Sequence, residues 1–271
     1  MTKILSIITI NLNNAKGLKH TLESVIPQLT SACEYIVIDG DSTDGSQEII
    51  RANENFITYW ISEKKGGIYK DMNKGILRAT GDYCLFLNSG DRLIENVLPD
   101  ALAECLGEEI IYFNTCLSYG NDRFEELKYP EQLTMRSFFS RTINHQSTLI
   151  KRDLFKKFGM YNEDNTIHSD YEFWIKSIIV NNCTCKYVDF PLAYYDMGGR
   201  SSKPTEKTLL EIDAILSRYI PKRILADYEY WNQKEKEMTV LVWYKENIYL
   251  YRILVFFYKV IKNVKKTLRS K

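Results

Sequence analysis

The chain is poor in the residues that staple or chelate. It has three histidines and six cysteines in 271 residues, and no Cys-x-x-Cys pair. Cys183-Thr184-Cys185 has the wrong spacing for a zinc knuckle, and the histidines that would complete one are absent nearby. Cys33, Cys84, Cys105, Cys116, Cys183 and Cys185 therefore read as reduced thiols of a cytosolic protein. No G-x-G-x-x-G follows the first apolar run and no G-x-x-x-x-G-K-[ST] occurs anywhere, which argues against a Rossmann dehydrogenase and a P-loop NTPase. A G-x-S-x-G nucleophile elbow is missing too. No uncharged apolar run approaches the ~18 residues that a membrane span needs. The opening stretch Met1–Asn14 lacks a small-residue cleavage site and is expected to be a first strand, not a signal peptide. Neither sign of charge dominates: 36 Lys+Arg stand against 35 Asp+Glu, so no global field invites nucleic acid. Internal repeats, low-complexity tracts and Pro/Gly linkers are also absent.

What remains is ordinary globular material, 45% hydrophobic and 26% charged, with an unusual 19 tyrosines. At roughly 150 residues per domain the length suggests one large domain with an appendage. The first half alternates strand and helix. Ile4–Asn11 is a buried strand, and Leu18, Leu22, Val25, Ile26 and Leu29 follow at helical spacing. Strands are expected at Tyr35–Asp39, Phe56–Ile61, Tyr83–Leu87 and Ile110–Asn114, with helices around Ile49, over Ile68–Ala79 and at Val97–Leu106. Such β-α-β repetition predicts an α/β fold, a mostly parallel sheet with flanking helices. Farther on, Tyr171, Trp174, Ile175, Ile178 and Ile179 mark an amphipathic helix entered through His168-Ser169-Asp170, and Lys186–Tyr195 reads as a strand. From Thr205 onward everything reads helical. The domains expected are a catalytic one over 1–202 and a helical C-terminal extension over 203–271.

In a parallel sheet the ligand crevice lies at the carboxyl ends of the strands. Those ends carry Thr9 and Asn11, Asp39, Glu63, and Asn88-Ser89-Gly90-Asp91. Asp91 suits a hard divalent cation that takes its other oxygens from a diphosphate, though an Asp in a turn is also an ordinary turn former. Asp39 is placed to accept from a base ring N–H, and Asp44 to cap the next helix. Asp170, just before a helix, reads either as a base or as an N-cap. His20 and His168 have no partner pattern.

These blocks resemble glycosyltransferase family 2. Thr9-Ile10-Asn11 and Val37-Ile38-Asp39-Gly40-Asp41-Ser42-Thr43-Asp44-Gly45-Ser46 look like its opening. The stretch from Ser62 to Gly75, SEKKGGIYKDMNKG, looks like its S-E-x-D-x-G-I-Y-D-A-M-N-K-G block. The stretch from Gly81 to Asp91, GDYCLFLNSGD, looks like its G-D-Y-x-x-F-L-N-S-G-D block, and Asn144-His145-Gln146 and Ser169–Trp174 continue the match. The resemblance runs from about residue 3 to 202 and is nearest to bacterial enzymes of capsule, exopolysaccharide and O-antigen assembly.

It implies the GT-A nucleotide-sugar-binding fold, a nucleotide-sugar donor (UDP favoured over GDP), a divalent metal (Mn2+ or Mg2+) and transfer with inversion to a saccharide or lipid-linked acceptor. By the same resemblance Thr9, Asn11, Asp39, Asn73, Asn88 and Gly90 serve the donor, and Asp91 the metal. The resemblance further implies that Asp170 is the catalytic base, that His145 and Gln146 line the donor-sugar or acceptor site, and that Arg200 and Ser201 sit in a loop, Gly198–Ser202, over the diphosphate. The pattern is departed from at Lys65, Lys70 and Asp71, and Asn88 and Gly90 replace the first acids of a full D-x-D. These departures motivate one alternative, a non-catalytic nucleotide- or sugar-binding protein. The other, a sugar-nucleotide pyrophosphorylase, needs a Gly-rich phosphate loop that Asn11–Gly17 does not provide.

The tail has its own character. From Lys245 to Lys271 there are eight Lys+Arg against Glu246 alone, so the tail carries +7 and the rest of the chain −6. Over Asn247–Lys271 one helix is expected, with Arg252, Lys259, Asn263 and Lys266 on one face and a wide apolar arc around Phe256, Phe257, Val260 and Ile261. This pattern suits peripheral contact with an anionic membrane face from the cytoplasm. The competing partner for the apolar arc is the body of the protein or a second copy in a homodimer.

Overall fold

The computed structural model describes residues 3–64, 66–120, 123–140, 142–199 and 205–269. Four parallel strands form its floor: β1 (Leu5–Asn11), β2 (Cys33–Asp39), β3 (Tyr59–Ser62) and β4 (Tyr83–Phe86), in the order β3-β2-β1-β4. Every residue of β1 and β2 is buried, as expected of strands covered on both faces. Between them run α1 (Ala15–Val25), α2 (Ser46–Ala52) and α3 (Ile68–Arg78). Asn14 caps α1 by accepting from Gly17 N–H at 3.1 Å, and Leu18, Thr21, Leu22 and Val25 form its buried face. The third strand starts later than its apolar pattern suggests, because Glu54–Phe56 winds into a short 3-10 turn.

Beyond β4 the sheet is mixed. It continues through β8 (Thr148–Lys151), β6 (Ile110–Ser118), β9 (Cys185–Asp196) and the two-residue β5 (Arg92–Leu93). A further strand, β7 (Phe124–Leu127), pairs with β6. The β4–β8, β8–β6 and β5–β9 pairs are antiparallel, whereas β6 and β9 run parallel. Their register shifts around Asn114, opposite Pro191, which has no N–H to give the ladder. The remaining helices of this part are α4 (Leu98–Ala103), α5 (Met135–Ser140), α6 (Asp153–Phe158), α7 (Ser169–Trp174) and α8 (Glu206–Tyr219). The helix expected through Ile179 is α7 followed by a π turn over Ile175–Val180, with Ile175, Ser177 and Ile178 still inward.

The chain divides into two compact units after Ile220, so α8 belongs to the first. The second holds α9 (Lys222–Glu246) and α10 (Ile248–Arg269). Among the described residues no helix is long and apolar enough to cross a membrane.

One buried acid is shared across the sheet. The Glu34 carboxylate accepts from Ser6 Oγ, from Thr80 N–H and Oγ1, and from Gly81 N–H, which joins β1, β2 and the turn into β4. Helix α3 lies so close to β1 that a Cβ at Gly75 would run into the Ile8 side chain. Gly75→Ala is therefore expected to lower stability by about 1–3 kcal/mol through overpacking, although alanine is the better helix former. A urea midpoint equal to or above that of the wild type would show that Ile8 gives way freely.

Candidate active site

The parallel register sets Asn11 beside Asp39 and Asp39 beside Ser62, so three strands end level. Asp39 has no exposed surface. One carboxylate oxygen accepts from Asn11 Nδ2 (2.7 Å) and Ser42 Oγ (2.6 Å), the other from Ser42 N–H (2.9 Å) and Ser62 Oγ (2.6 Å). Asp44 accepts from the N–H of Ala15 at the start of α1 and from that of Ser46 at the start of α2, so it serves two helices and not one.

Other sequence-selected residues are used inside the protein. Thr9 is fully buried; its hydroxyl donates to the Leu87 carbonyl at 2.7 Å and meets Tyr35 Oη at 3.0 Å. Asn73 is spent on a loop: its amide donates to Tyr161 O and Glu163 Oε1, and its carbonyl accepts from Tyr161 N–H. Lys74 pairs with Glu63 at 2.7 Å and Asp71 at 3.0 Å, and Lys70 is exposed. Lys65, Arg200, Ser201 and Ser202 lie outside the described residues.

At the end of β4 the chain turns through Gly90, whose φ of 110° favours glycine. A Cβ there would lie 3.0 Å from an Asp196 carboxylate oxygen. Asp91 is 4% exposed. Its carboxylate accepts from Asp196 N–H at 3.0 Å and from Gln146 Nε2 at 3.2 Å. Burial, with the Asp196 charge added, pushes its pKa up to about 6 against these hydrogen bonds and His145. Asp196 closes β9 beside this loop, and the sequence reading missed it. The available signal was an acid at a strand end two residues before a glycine pair, Gly198-Gly199.

The third group is Asp170. His168, not Asp170, occupies the N-cap of α7. The Asp170 carboxylate accepts from Tyr171 N–H (2.9 Å) and Tyr69 Oη (3.2 Å) and meets His145 Nδ1 at 3.1 Å. The other His145 nitrogen meets Asn88 Nδ2 at 3.3 Å. With that amide donating, the hydrogen-bond pattern assigns the ring proton to Nδ1, facing the carboxylate. Burial raises the Asp170 pKa, but the His145 contact and the Tyr171 N–H outweigh it and hold the group below its ordinary value. Its side chain is 15% exposed, so the carboxylate is reachable. Tyr69 was quoted in a sequence block without a role; only the fold brings it to Asp170. Two buried amide oxygens at strand ends, Asn11 Oδ1 and Asn88 Oδ1, have no hydrogen-bond partner among the described residues. An unmet buried acceptor costs about 1–3 kcal/mol, so the two mark the crevice as a place for a donor-bearing ligand.

Comparison with known proteins gives the chain a family. The family model for glycosyl transferase family 2 matches residues 6–167. The chain belongs to that family. An uncharacterized glycosyltransferase of Mycobacterium tuberculosis is 33% identical over 182 residues, covering 65% of this chain and 69% of its own. A PGL/p-HBAD biosynthesis glycosyltransferase of Mycobacterium bovis is 29% identical over 216 residues, 76% of this chain and 82% of the relative. Among solved structures, S. aureus TarS 1-349 in complex with UDP superimposes with a TM-score of 0.60 at 21% identity, over 71% of this chain and 60% of that one. The fold is thus the GT-A arrangement expected for a glycosyltransferase of this family, with a helical C-terminal part.

The helix that presents Asp170 is anchored by Glu172. Its buried carboxylate accepts from Asn162 Nδ2 (3.0 Å), Asn165 Nδ2 (2.6 Å), Arg218 Nη1 (2.8 Å) and Tyr219 Oη (2.6 Å), tying α7 to α8. Burial raises its pKa, yet these donors and the Arg218 charge leave it lowered. A lowered acid contributes stability above its unfolded pKa, about 4.3, and loses it as pH falls through the folded value. Glu172→Gln is expected to be less stable at neutral pH and to lose less on acidification below about pH 4.3 than the wild type. Parallel pH–stability curves for the two proteins would show that Glu172 is not linked to folding.

Proposed function

We propose that the protein transfers a sugar, with inversion, from a nucleotide-sugar, favouring UDP, to a hydroxyl of a saccharide or lipid-linked acceptor in surface-polysaccharide assembly. The observation that carries this is the Asn88–His145–Asp170 chain, which joins a reachable carboxylate to the loop that holds Asp91. Asp170 takes the proton from the acceptor hydroxyl. The freed oxygen attacks the anomeric carbon as the bond to the diphosphate breaks. His145 and Tyr69 orient the base, and Asn11 and Asn88 border the donor crevice, while Asp39, whose oxygens are taken by Asn11, Ser42 and Ser62, holds the strand ends behind it and does not itself meet the nucleobase. The UDP named for the TarS complex and the biosynthetic role named for the mycobacterial relative support the donor and the setting.

A divalent metal fits the carboxylates present. Among the described residues no group of three or more His, Cys, Asp or Glu is arranged to hold one. Asp91 and Asp196, however, are neighbouring acids, and a cation held by one or two carboxylates completes its shell with diphosphate and water oxygens. When bound, such a metal neutralises charge on the departing diphosphate.

The tail supplies a location. Phe256, Phe257, Val260 and Ile261 on α10 are all exposed, and the +7 segment suits an anionic lipid face on the cytoplasmic side. The six free thiols accord with a reducing compartment.

Asp170→Asn is expected to lower kcat by about 10²–10⁴ with UDP affinity kept; a loss under about tenfold assigns the base elsewhere. Asp91→Ala, and excess chelator on the wild type, are expected to nearly abolish UDP release. Full activity in either case removes the metal from the reaction. Deleting residues 247–271 is expected to end sedimentation with anionic liposomes while donor hydrolysis persists. A full chain that ignores liposomes, or a truncated one that aggregates, assigns the apolar face to protein packing, the second copy included.

A further inference from the structure

Asn88 stands two residues past the end of β4, and the antiparallel pairing of β4 with β8 brings the turn that precedes β8, His145–Ser147, alongside it. The His145 ring crosses Phe86 edge to face, at 86° with centroids 6.4 Å apart, so packing holds its plane independently of its hydrogen bonds. Its two nitrogens then meet different groups, Nδ1 the Asp170 carboxylate at 3.1 Å and Nε2 the Asn88 amide nitrogen at 3.3 Å.

An amide has one donating and one accepting end, and a neutral imidazole likewise has one nitrogen of each kind. With Nδ2 toward His145, the ring carries its proton on Nδ1 and gives it to the carboxylate. Asn88 Oδ1 is then left buried with no hydrogen-bond partner among the described residues. The reversed amide would satisfy that oxygen against Nε2–H. It would also strip Nδ1 of its proton and set two acceptors, Nδ1 and the Asp170 carboxylate, against each other at 3.1 Å. Each arrangement of the free protein therefore has one fault. A ligand hydroxyl that donates to Oδ1 removes the first fault and leaves the second, so it favours the arrangement that keeps Nδ1–H on Asp170.

The place of Asn88 says which hydroxyls can serve. It lies three positions before Asp91, the acid assigned above to the diphosphate end of the donor. The two units that flank a donor's diphosphate, the ribose and the transferred sugar, both carry hydroxyls.

We infer that Asn88 is a positioning residue that links the donor to the base: Oδ1 accepts from a hydroxyl of the bound nucleotide-sugar, and Nδ2 thereby fixes the His145 tautomer that holds Asp170. The inference rests on the glycosyl-transfer reading and adds an order to it, the base being set once the donor is seated. The state of Asp170 accords with this, since burial raises its pKa and the His145 contact leads the groups that bring it down. The other titratable groups near that carboxylate are Tyr69 from α3, Tyr161 from the loop before α7 and His168 at the start of α7.

The test is ring-nitrogen NMR of the three histidines in the full chain, the His145 signals being those lost in His145→Gln. Spectra are compared for the free protein, with UDP, and with UDP-glucose or UDP-N-acetylglucosamine. The free ring is expected to exchange between tautomers and to settle with its proton on Nδ1 once a hydroxyl is seated. Settling with UDP alone assigns the ribose, and settling only with a sugar nucleotide assigns the transferred sugar. Asn88→Ala is expected to abolish the response, to lower kcat for UDP-sugar hydrolysis about tenfold or more, and to move the acid limb of its pH profile upward. Asn88→Asp, whose carboxylate only accepts, is expected to draw a ring proton to Nε2. The wild-type spectra depend on no variant folding. Bound nucleotides that leave the His145 signals unchanged, or an Asn88→Ala protein with the wild-type kcat and pH profile, overturn the inference while UDP-sugar hydrolysis by the wild type upholds glycosyl transfer. A wild type that neither binds nor hydrolyses the sugar nucleotides overturns both.

Discussion

A carboxylate with no exposed surface has to be met by donors or neutralised, because a charge taken out of water costs several kcal/mol. Asp39 is in that position at the carboxyl end of β2, and four hydrogen bonds from Asn11, Ser42 and Ser62 meet it. The donors come from the ends of β1 and β3 and from the loop after β2. Satisfying one charge therefore levels β1, β2 and β3 and fixes the loop that follows. Asp44 extends the arrangement by accepting from the first turns of α1 and α2. This end of the sheet inherits its rigidity from these acids.

The other side is held differently. Asp91 draws together three distant segments: its own loop, Gln146, and the end of β9 at Asp196. Asn88, His145 and Asp170 then run across to α7, which Glu172 ties to α8. Asp91 and Asp170 sit in opposed electrostatic settings. Asp91 is raised by burial and a neighbouring acid, and Asp170 is lowered by His145 and a backbone N–H. Environments that push two acids apart in this way separate their tasks. In the proposed reaction the base, Asp170, has to stay ionised to accept a proton, while Asp91, proposed to meet a cation, tolerates a higher pKa.

Local pattern explains why some of this was legible from residues alone and some was not. Buried parallel strands such as β1, β2 and β4 are continuous apolar runs, and α1 and α3 repeat at 3.6 residues, so both kinds show in the sequence. The two-residue β5 and four-residue β8 are too short to carry a period, and their antiparallel pairing depends on partners far along the chain. Thr9 and Asn73 belong to recognisable blocks, yet the structure spends their polar atoms on Leu87 and Tyr161, because most buried polar groups are paired within the protein.

The sequence by itself determined the strand and helix order from β1 to β4, the acids and amides at the strand ends, the family blocks and the basic apolar tail, since each is a property of neighbouring residues. Only the tertiary structure decided that Asp196 stands beside Asp91, that Tyr69 and His145 converge on Asp170, and that Glu172 fastens the helix beneath it. Those residues lie 25 to 105 positions apart in each pair. Their meeting depends on loop closures and sheet pairings that no local period encodes.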